Sequence, residues 1–400
     1  MSHVGRGSHG TVFASDGRAT KVGRLFKNEH VGAACIEAVT LTSLLRSGET
    51  HPGINGLAAP ARSDGDRHVS LDFPLGRKDL GALMRDTPAD ARRALARGIL
   101  VQLAAAVNYL HGRGFVHGDL KPANVIVMNS AGPPQVRVID FGSACWVAGG
   151  AEHQGTCTYA FAAPELFAGH EMGLQSRSEH AARQTDAFSI GMIVLTFVSG
   201  RYVGRNDWDF ARFKAFHEND DVREEAHRYP VPPEVFGLLE KDPARRTTVA
   251  ALHTQLADVI DVTAERVFPR YRGLRLDRWP DADARATAVW RMAAWAEEDA
   301  PTLGLAVATM DRFARAEDRP PTDGEVRACF VIAVTVVRTL APSCRGLEAD
   351  VRYVLERLGF DVLVRTAVCD VPGVAFGRLC DALIVGGGSS SRTLACCREA

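Results

Sequence analysis

The stretch "FVHGDLKPANVIV", Phe115 to Val127, concentrates His117, Asp119, Lys121 and Asn124 in one segment with apolar residues at both ends. Before it, Ile99, Leu103, Val107 and Leu110 fall at i, i+4, i+8 and i+11, one face of a buried helix between Ala91 and Leu110. "HGRGF" ends that helix with glycines. After it, "NVIVM" and "VRVID" read as short strands, and "FG" turns out of the second. The polar cluster is therefore a loop fixed between a helix and a strand. Phosphoryl transfer asks for positioned phosphates, metal ions that neutralise developing charge and a group that orients the attacking hydroxyl. Asp119 is suited to accept the hydroxyl proton, Lys121 to stabilise the transferring group, and Asn124 with Asp140 to hold Mg²⁺ through hard oxygen ligands.

Toward the N-terminus, "GRGSHGTVF" places Gly5, Gly7 and Gly10 at G-x-G-x-x-G spacing, with Val12 two residues on. A tight strand–loop–strand of this kind lets backbone N–H groups approach phosphate oxygens, because no Cβ intervenes. Taken alone, the stretch reads equally as a flexible glycine-rich leader. Lys21 lies in the short strand "ATKVG". Glu37 lies in "ACIEAVTLTSLL", whose apolar residues recur at near-helical spacing, and its carboxylate can pair with Lys21. Glu29 is a second candidate for that pairing.

The 400 residues suffice for two or three domains, and 46% hydrophobic content is ample for packed cores. With 47 basic and 48 acidic side chains the formal charge is -1, so no global field draws the chain to nucleic acid or to an anionic membrane. The nine cysteines are scattered without a C-x-x-C pair, which fits a reducing, intracellular compartment. No apolar run approaches the roughly 20 residues of a membrane span, so a soluble protein is expected. The thirteen histidines show no metal-finger or H-E-x-x-H spacing.

Taken in order, Gly5-x-Gly7-x-x-Gly10-x-Val12, Lys21, "HGDLKPAN", "DFG" at Asp140 to Gly142 and "APE" at Ala163 to Glu165 resemble the protein-kinase signature set. "TDAFSIG" resembles the buried helix that anchors the catalytic loop through Asp186. "DPARRT" resembles the closing motif whose arginine, Arg246, pairs with Glu165. The resemblance covers roughly residues 1 to 260. It implies ATP and Mg²⁺ as cofactors and protein substrates, with Asp119, Lys121, Lys21 and Glu37 as the catalytic set. Glu37 is preferred over Glu29 because Leu41 then falls four residues later on the same helix face, where the family packs an apolar residue toward Phe141 and His117. "DLKPAN" resembles the serine/threonine branch, in which the lysine meets a threonine of the activation segment, here Thr158.

Several departures carry expectations. His117-Gly118-Asp119 stands where the family has H-R-D, so the arginine that pairs with a phosphorylated activation segment is absent. Between Phe141 and Thr158 only Ser143 and Thr156 carry a hydroxyl, and the usual phosphosite falls near His153. Activity without activation-segment phosphorylation is therefore expected. "HVSLDFPLG" resembles the hinge that pairs with adenine, with Leu71 at the back wall, Asp72 offering its carbonyl and Pro74 standing where the family uses an N–H. The loss of that donor implies weaker ATP binding. Ala162 stands where proline-directed kinases carry an arginine.

After about residue 262 the pattern turns helical. Leu303, Val307 and Met310 share a face, Thr322 and Glu325 have capping-box spacing, and Val351, Val354, Leu355 and Leu358 share another face. The order "TLGLAVATMDRF", buried helix, "VRYVLERLGFDV" resembles a cyclin box, although Thr335 stands where the family's lysine is expected. The expected architecture is α+β: a bilobal protein-kinase fold over residues 1–260, with an N-lobe of about 1–72 and a C-lobe of about 75–260. An all-α cyclin-like domain over 265–378 and a flexible tail over 384–400 follow. Such a fusion resembles those of large DNA viruses. It implies a built-in activator, or a scaffold that binds a host cell-cycle kinase in the cytoplasm or nucleus.

Overall fold

A computed structural model describes residues 2–7, 10–27, 30–45, 49–64, 68–147, 158–171, 179–202, 210–219, 221–256, 265–266, 285, 288–289, 291–292, 295–296, 300–338, 347–358 and 360. The first layer is an antiparallel sheet of β1 (Ser2–Gly7), β2 (Gly10–Ser15), β3 (Arg18–Arg24), β4 (Arg62–Asp64) and β5 (His68–Pro74), in the order β1-β2-β3-β5-β4. Asp16 and Gly17 turn β2 into β3 with φ of 50° and 73°, the left-handed geometry that a two-residue hairpin requires. Helix α1 (Ala33–Leu45) packs on β3 and β5 and buries Ala34, Ala38, Leu41 and Leu44, together with Glu37.

Below the sheet the chain becomes mostly helical. Asp79 caps α2 (Leu80–Asp86) by accepting the Ala82 N–H at 2.8 Å. Helix α3 (Ala89–Gly112) extends the expected span at both ends, because Pro88 suits a helix start and Gly114, at φ 81°, suits the exit. It packs against α5 (Glu179–Ser199), which follows α4 (Pro164–Glu171) and is nearly all apolar from Ala187 to Val198. A helix apolar on every side belongs at the centre of a lobe. Between these helices, β6 (Val125–Val127) and β7 (Val136–Val138) form a small sheet with Lys78–Asp79. That sheet supports the polar loop from one side while α5 supports it from the other.

Two features tie the later chain to the earlier part. Glu265–Arg266 pairs antiparallel with Glu49–Thr50, just beyond α1. Counting the four shorter helices Phe210–Glu218, Asp221–His227, Glu234–Leu238 and Val249–Gln255 as α6 to α9, the C-terminal helices are α10 (Ala300–Glu317), α11 (Asp323–Arg338) and α12 (Glu348–Arg357). They pack on one another, and α11 also lies against Cys145–Trp146, the short strand that follows "DFG". Thr322 and Glu325 close the expected capping box, with the Thr322 N–H donating to Glu325 at 2.7 Å and the Glu325 N–H to Thr322 at 3.3 Å. Arg285 and Asp311 form a buried two-pronged pair at 2.8 and 3.0 Å. Three packed helices do not by themselves establish a cyclin fold. The tail over 384–400 lies outside the described residues. Among the described residues, no helix is long and apolar enough to cross a membrane.

Candidate active site

Between the two layers lies a cleft of about 540 Å³, lined by Gly5, Gly10, Val12, Ala19, Lys21 and Glu37 above and by Lys121, Asn124, Ile126 and Asp140 below. Gly7 and Gly10 face each other across the β1–β2 turn. A Cβ on Gly10 would stand 2.7 Å from the Val22 carbonyl oxygen, so this position admits no side chain. Ser8 and His9, which separate these glycines in sequence, lie outside the described residues.

Lys21 joins the two layers. Its Nζ donates to Glu37 at 2.6 Å and to Asp140 at 2.8 Å. Burial works to lower the Lys21 pKa, but the two carboxylates outweigh it and hold the ammonium above its ordinary range. Asp140 adopts φ 63° and ψ 72°, a left-handed conformation that costs a residue with a Cβ about 1–3 kcal/mol unless its surroundings fix it. Here they do. Phe141 is fully buried with its ring 5.1 Å from that of His117, and its N–H donates to Glu37 at 3.3 Å. Leu41, four residues after Glu37, is likewise fully buried. Glu29 lies outside the described residues.

In the polar loop, Lys121 Nζ donates to Asp119 Oδ2 at 2.6 Å and to Thr158 Oγ1 at 2.8 Å. Asp119 Oδ1 accepts from the Thr158 hydroxyl at 2.7 Å and from the Thr158 N–H at 2.9 Å. Asn124 Nδ2 donates to the Asp119 carbonyl at 2.8 Å. With its nitrogen so engaged, Asn124 keeps an amide oxygen, and Asp140 supplies a carboxylate to the same cleft. This pair of hard oxygen donors fits Mg²⁺, which typically takes one or two protein ligands and fills the rest with water and phosphate.

Asp186 holds the loop from below. Its carboxylate accepts from the His117 N–H at 2.8 Å, the Gly118 N–H at 3.0 Å and His111 Nε2 at 2.9 Å. Burial acts to raise its pKa, but these donors and the two histidines outweigh burial and leave it below the usual carboxylate value. Arg246 reaches Glu165 through both prongs at 2.7 and 2.9 Å, the ion pair that the two motifs led us to expect.

The expected hinge requires a correction. Asp72 does not line the cleft: its carbonyl accepts the Ala58 N–H at 2.7 Å, and its carboxylate is held outside by Thr20 and Arg62. Leu71 also stands apart from the lining. The register pairs Lys21 with Leu71 and Ala19 with Phe73, so the back wall at the level of Ala19 is Phe73, two residues later than read from the sequence. Pro74, Leu75 and Gly76 then follow along the cleft edge. Pro74 contributes a carbonyl, and the position needing an N–H falls on Gly76, which has no hydrogen-bond partner among the described residues. The expectation of weaker binding rests on a register two residues earlier than the one this strand pairing gives. A Cβ on Gly76 would stand 2.3 Å from Ile126 on the cleft floor. Sequence reasoning also missed Asn55. The signal available was one amide in the otherwise apolar and glycine-rich run "GINGLAA".

Residues 1–256 match the protein kinase domain family. The chain is 32% identical over 146 residues to the serine/threonine-protein kinase PknF of Mycobacterium tuberculosis, covering 35% of this chain and 30% of that protein. It is 26% identical over 274 residues to the serine/threonine-protein kinase RAD53 of Saccharomyces cerevisiae, covering 62% and 31%. To the serine/threonine-protein kinase dkf-2 of Caenorhabditis briggsae it is 28% identical over 169 residues, covering 40% and 13%. The chain thus spans less than a third of the length of each of these relatives.

Proposed function

The chain belongs to the protein kinase family, and from that premise we propose that it is a serine/threonine kinase that moves the γ-phosphoryl group of ATP to protein hydroxyls. The observation that carries this reading is that Lys121, hydrogen-bonded to Asp119 and Thr158, lines the same cleft as the linked Lys21, Glu37 and Asp140. ATP and Mg²⁺ are the cofactors of the family; Asn124 and Asp140 would hold the ion, which would supply charge neutralisation for the phosphates. Asp119 accepts the proton of the attacking hydroxyl, its orientation fixed by two bonds from Thr158. Lys121 offers positive charge beside the incoming oxygen. Lys21, held by Glu37, fixes the phosphates from above.

The C-terminal helices enter this reading as a regulator in cis. Support comes from α11, which lies against Cys145–Trp146 directly after "DFG", and from the strand pairing of Glu265–Arg266 beside the end of α1. Their likeness to a cyclin box, and to kinase–cyclin fusions of large DNA viruses, rests on the order of motifs alone. A tethered regulator needs only modest affinity, because the linker raises its effective concentration. Capture of a separate cell-cycle kinase by these helices would make the N-terminal part a scaffold.

The test is phosphate transfer from labelled ATP to a generic serine/threonine substrate. Full-length protein is compared with Asp140→Asn and with residues 1–260, the truncation being checked for folding by circular dichroism. Transfer that is lost in Asp140→Asn and reduced in a folded truncation supports both parts. A folded truncation as active as the whole chain removes the regulator. No transfer from full-length protein that binds Mg-ATP moves the reading to the scaffold.

A further inference from the structure

Asn55 sits in the wall of the cleft beside Phe73 and Pro74 and is 3% exposed. Its Nδ2 donates to the Pro74 carbonyl at 3.3 Å, while its Oδ1 is buried and has no hydrogen-bond partner among the described residues. Buried side-chain oxygens are almost always satisfied, and one left alone marks a place where a donor is missing. The segment carrying it is not free to move away. The Asn55 N–H donates to Val138 at 3.0 Å, the Val138 N–H donates to Gly53 at 2.8 Å, and the Gly53 N–H is held by His51 Nδ1 at 3.0 Å. The amide cannot turn over at no cost either, because its oxygen would then face the Pro74 carbonyl oxygen.

The back of the cleft thus offers two acceptors side by side, the Pro74 carbonyl and Asn55 Oδ1. A single nitrogen bearing two N–H groups satisfies both. Of the common purines, adenine carries such a nitrogen at its 6-position, whereas guanine and hypoxanthine carry an oxygen there. We propose that Asn55 sets nucleotide specificity: Oδ1 accepts one N–H of the adenine 6-amino group while Pro74 accepts the other. The proposal rests on the reading of this cleft as an ATP site. It goes beyond that reading by assigning selection against 6-oxo purines to a side chain on the segment before β4.

The experiment uses the full chain and measures kcat/KM and Kd for ATP, GTP and purine riboside triphosphate, which lacks the 6-amino group. These are repeated in Asn55→Leu and in Asn55→Asp, which keeps an acceptor. The expected result is that wild-type protein prefers ATP over the purine analogue by more than about tenfold, since two hydrogen bonds are at stake. Asn55→Leu should reduce that preference by about three- to tenfold. Asn55→Asp, which burial keeps protonated so that one oxygen donates to the Pro74 carbonyl as Nδ2 does, should retain it. Equal discrimination in wild type and Asn55→Leu, with ATP still bound, overturns the assignment and leaves the ATP reading standing. Wild-type protein that binds none of the three nucleotides overturns the ATP reading itself. If Asn55→Leu does not fold, wild-type protein that binds the analogue or GTP as tightly as ATP still refutes the proposal.

Discussion

Thr158 lies nearly forty residues beyond Asp119 in sequence, yet it makes two of the bonds that fix the Asp119 carboxylate, at 2.7 Å from its hydroxyl and 2.9 Å from its N–H. The same hydroxyl accepts from Lys121 at 2.8 Å. Thr158→Ala removes both hydroxyl bonds and leaves the backbone one. Hydrogen bonds to charged groups contribute about 1.5–3 kcal/mol each. Because the remaining N–H still orients Asp119 and Lys121 still touches Asp119, the lower end applies. About 1.5–2 kcal/mol in the transition state corresponds to a fall in kcat of roughly ten- to thirtyfold, at about 1.4 kcal/mol per factor of ten. KM for ATP should change little, since Thr158 is not part of the cleft lining. Thr158→Ser keeps the hydroxyl and should stay within about threefold of wild type. The assay is steady-state transfer to a peptide at saturating and limiting ATP for all three proteins. A Thr158→Ala protein with wild-type kcat would refute the claim that this hydroxyl positions the base. So would a Thr158→Ser protein as slow as Thr158→Ala.

Gly76→Ala places a Cβ 2.3 Å from Ile126, so the cleft floor must shift. Overpacking of this kind costs about 1–3 kcal/mol, read as a lower Tm, and the double variant with Ile126→Ala should recover most of it; no recovery would mean the clash is not the cause. His51 titrates at about 4, below its ordinary 6.5, because burial, and then the charge of His253, disfavour the imidazolium. Its Nδ1 accepts from Gly53, which also requires the neutral ring. The unfolded chain therefore takes up this proton first, so the stability His51 contributes is whole above pH 6.5 and is lost as pH falls from 6.5 toward 4. His51→Asn keeps an acceptor for the turn and does not titrate. Urea unfolding between pH 4.5 and 7 should show a flatter pH dependence in the variant, and an unchanged slope would rule His51 out as its source.

How much of this was readable in the sequence depended on the range of the interaction. The polar loop is local: His117, Asp119, Lys121 and Asn124 lie within one turn-and-strand unit, so their spacing alone brings them together. Helix α1 is also local, and the step from Glu37 to Leu41 chose the carboxylate that the structure places 2.6 Å from Lys21. The cleft edge was misread by two residues for a physical reason. Strand side chains alternate, so Leu71 and Phe73 project from the same face of β5, and alternation cannot say which stands at the level of the base. Only the pairing of Ala19 with Phe73 decides it, and that pairing joins strands some fifty residues apart. The Arg285–Asp311 pair and the position of α11 on Cys145–Trp146 were invisible for the same reason. Caps and amphipathic faces report that a helix exists, not what it rests on.

The absence of an arginine before Asp119 gains meaning from its surroundings. Gly118 takes φ 77°, a conformation that strains any residue with a Cβ, and its N–H is bound by Asp186. A charged side chain reaching from this position toward a phosphate is replaced by a backbone tied directly to the buried anchor. The segment after Gly142 is fixed by other means. Cys145–Trp146 pairs with Phe115–Val116, the Val147 N–H donates to the Gly114 carbonyl at 2.8 Å, and Trp146 is buried with α11 against its strand. Residues 148–157, where Thr156 and His153 fall, lie outside the described residues. On the proposed reading, apolar packing by the chain's own C-terminal helix does here what a phosphate–arginine pair does elsewhere in the family. The two devices differ in their salt dependence. A charge pair at the surface weakens as added salt shortens the Debye length from its value of about 8–10 Å near physiological ionic strength, whereas burial of Trp146 is not screened in this way. Activity that holds steady as salt rises, at fixed ATP and with an uncharged substrate peptide, is the behaviour that packing requires.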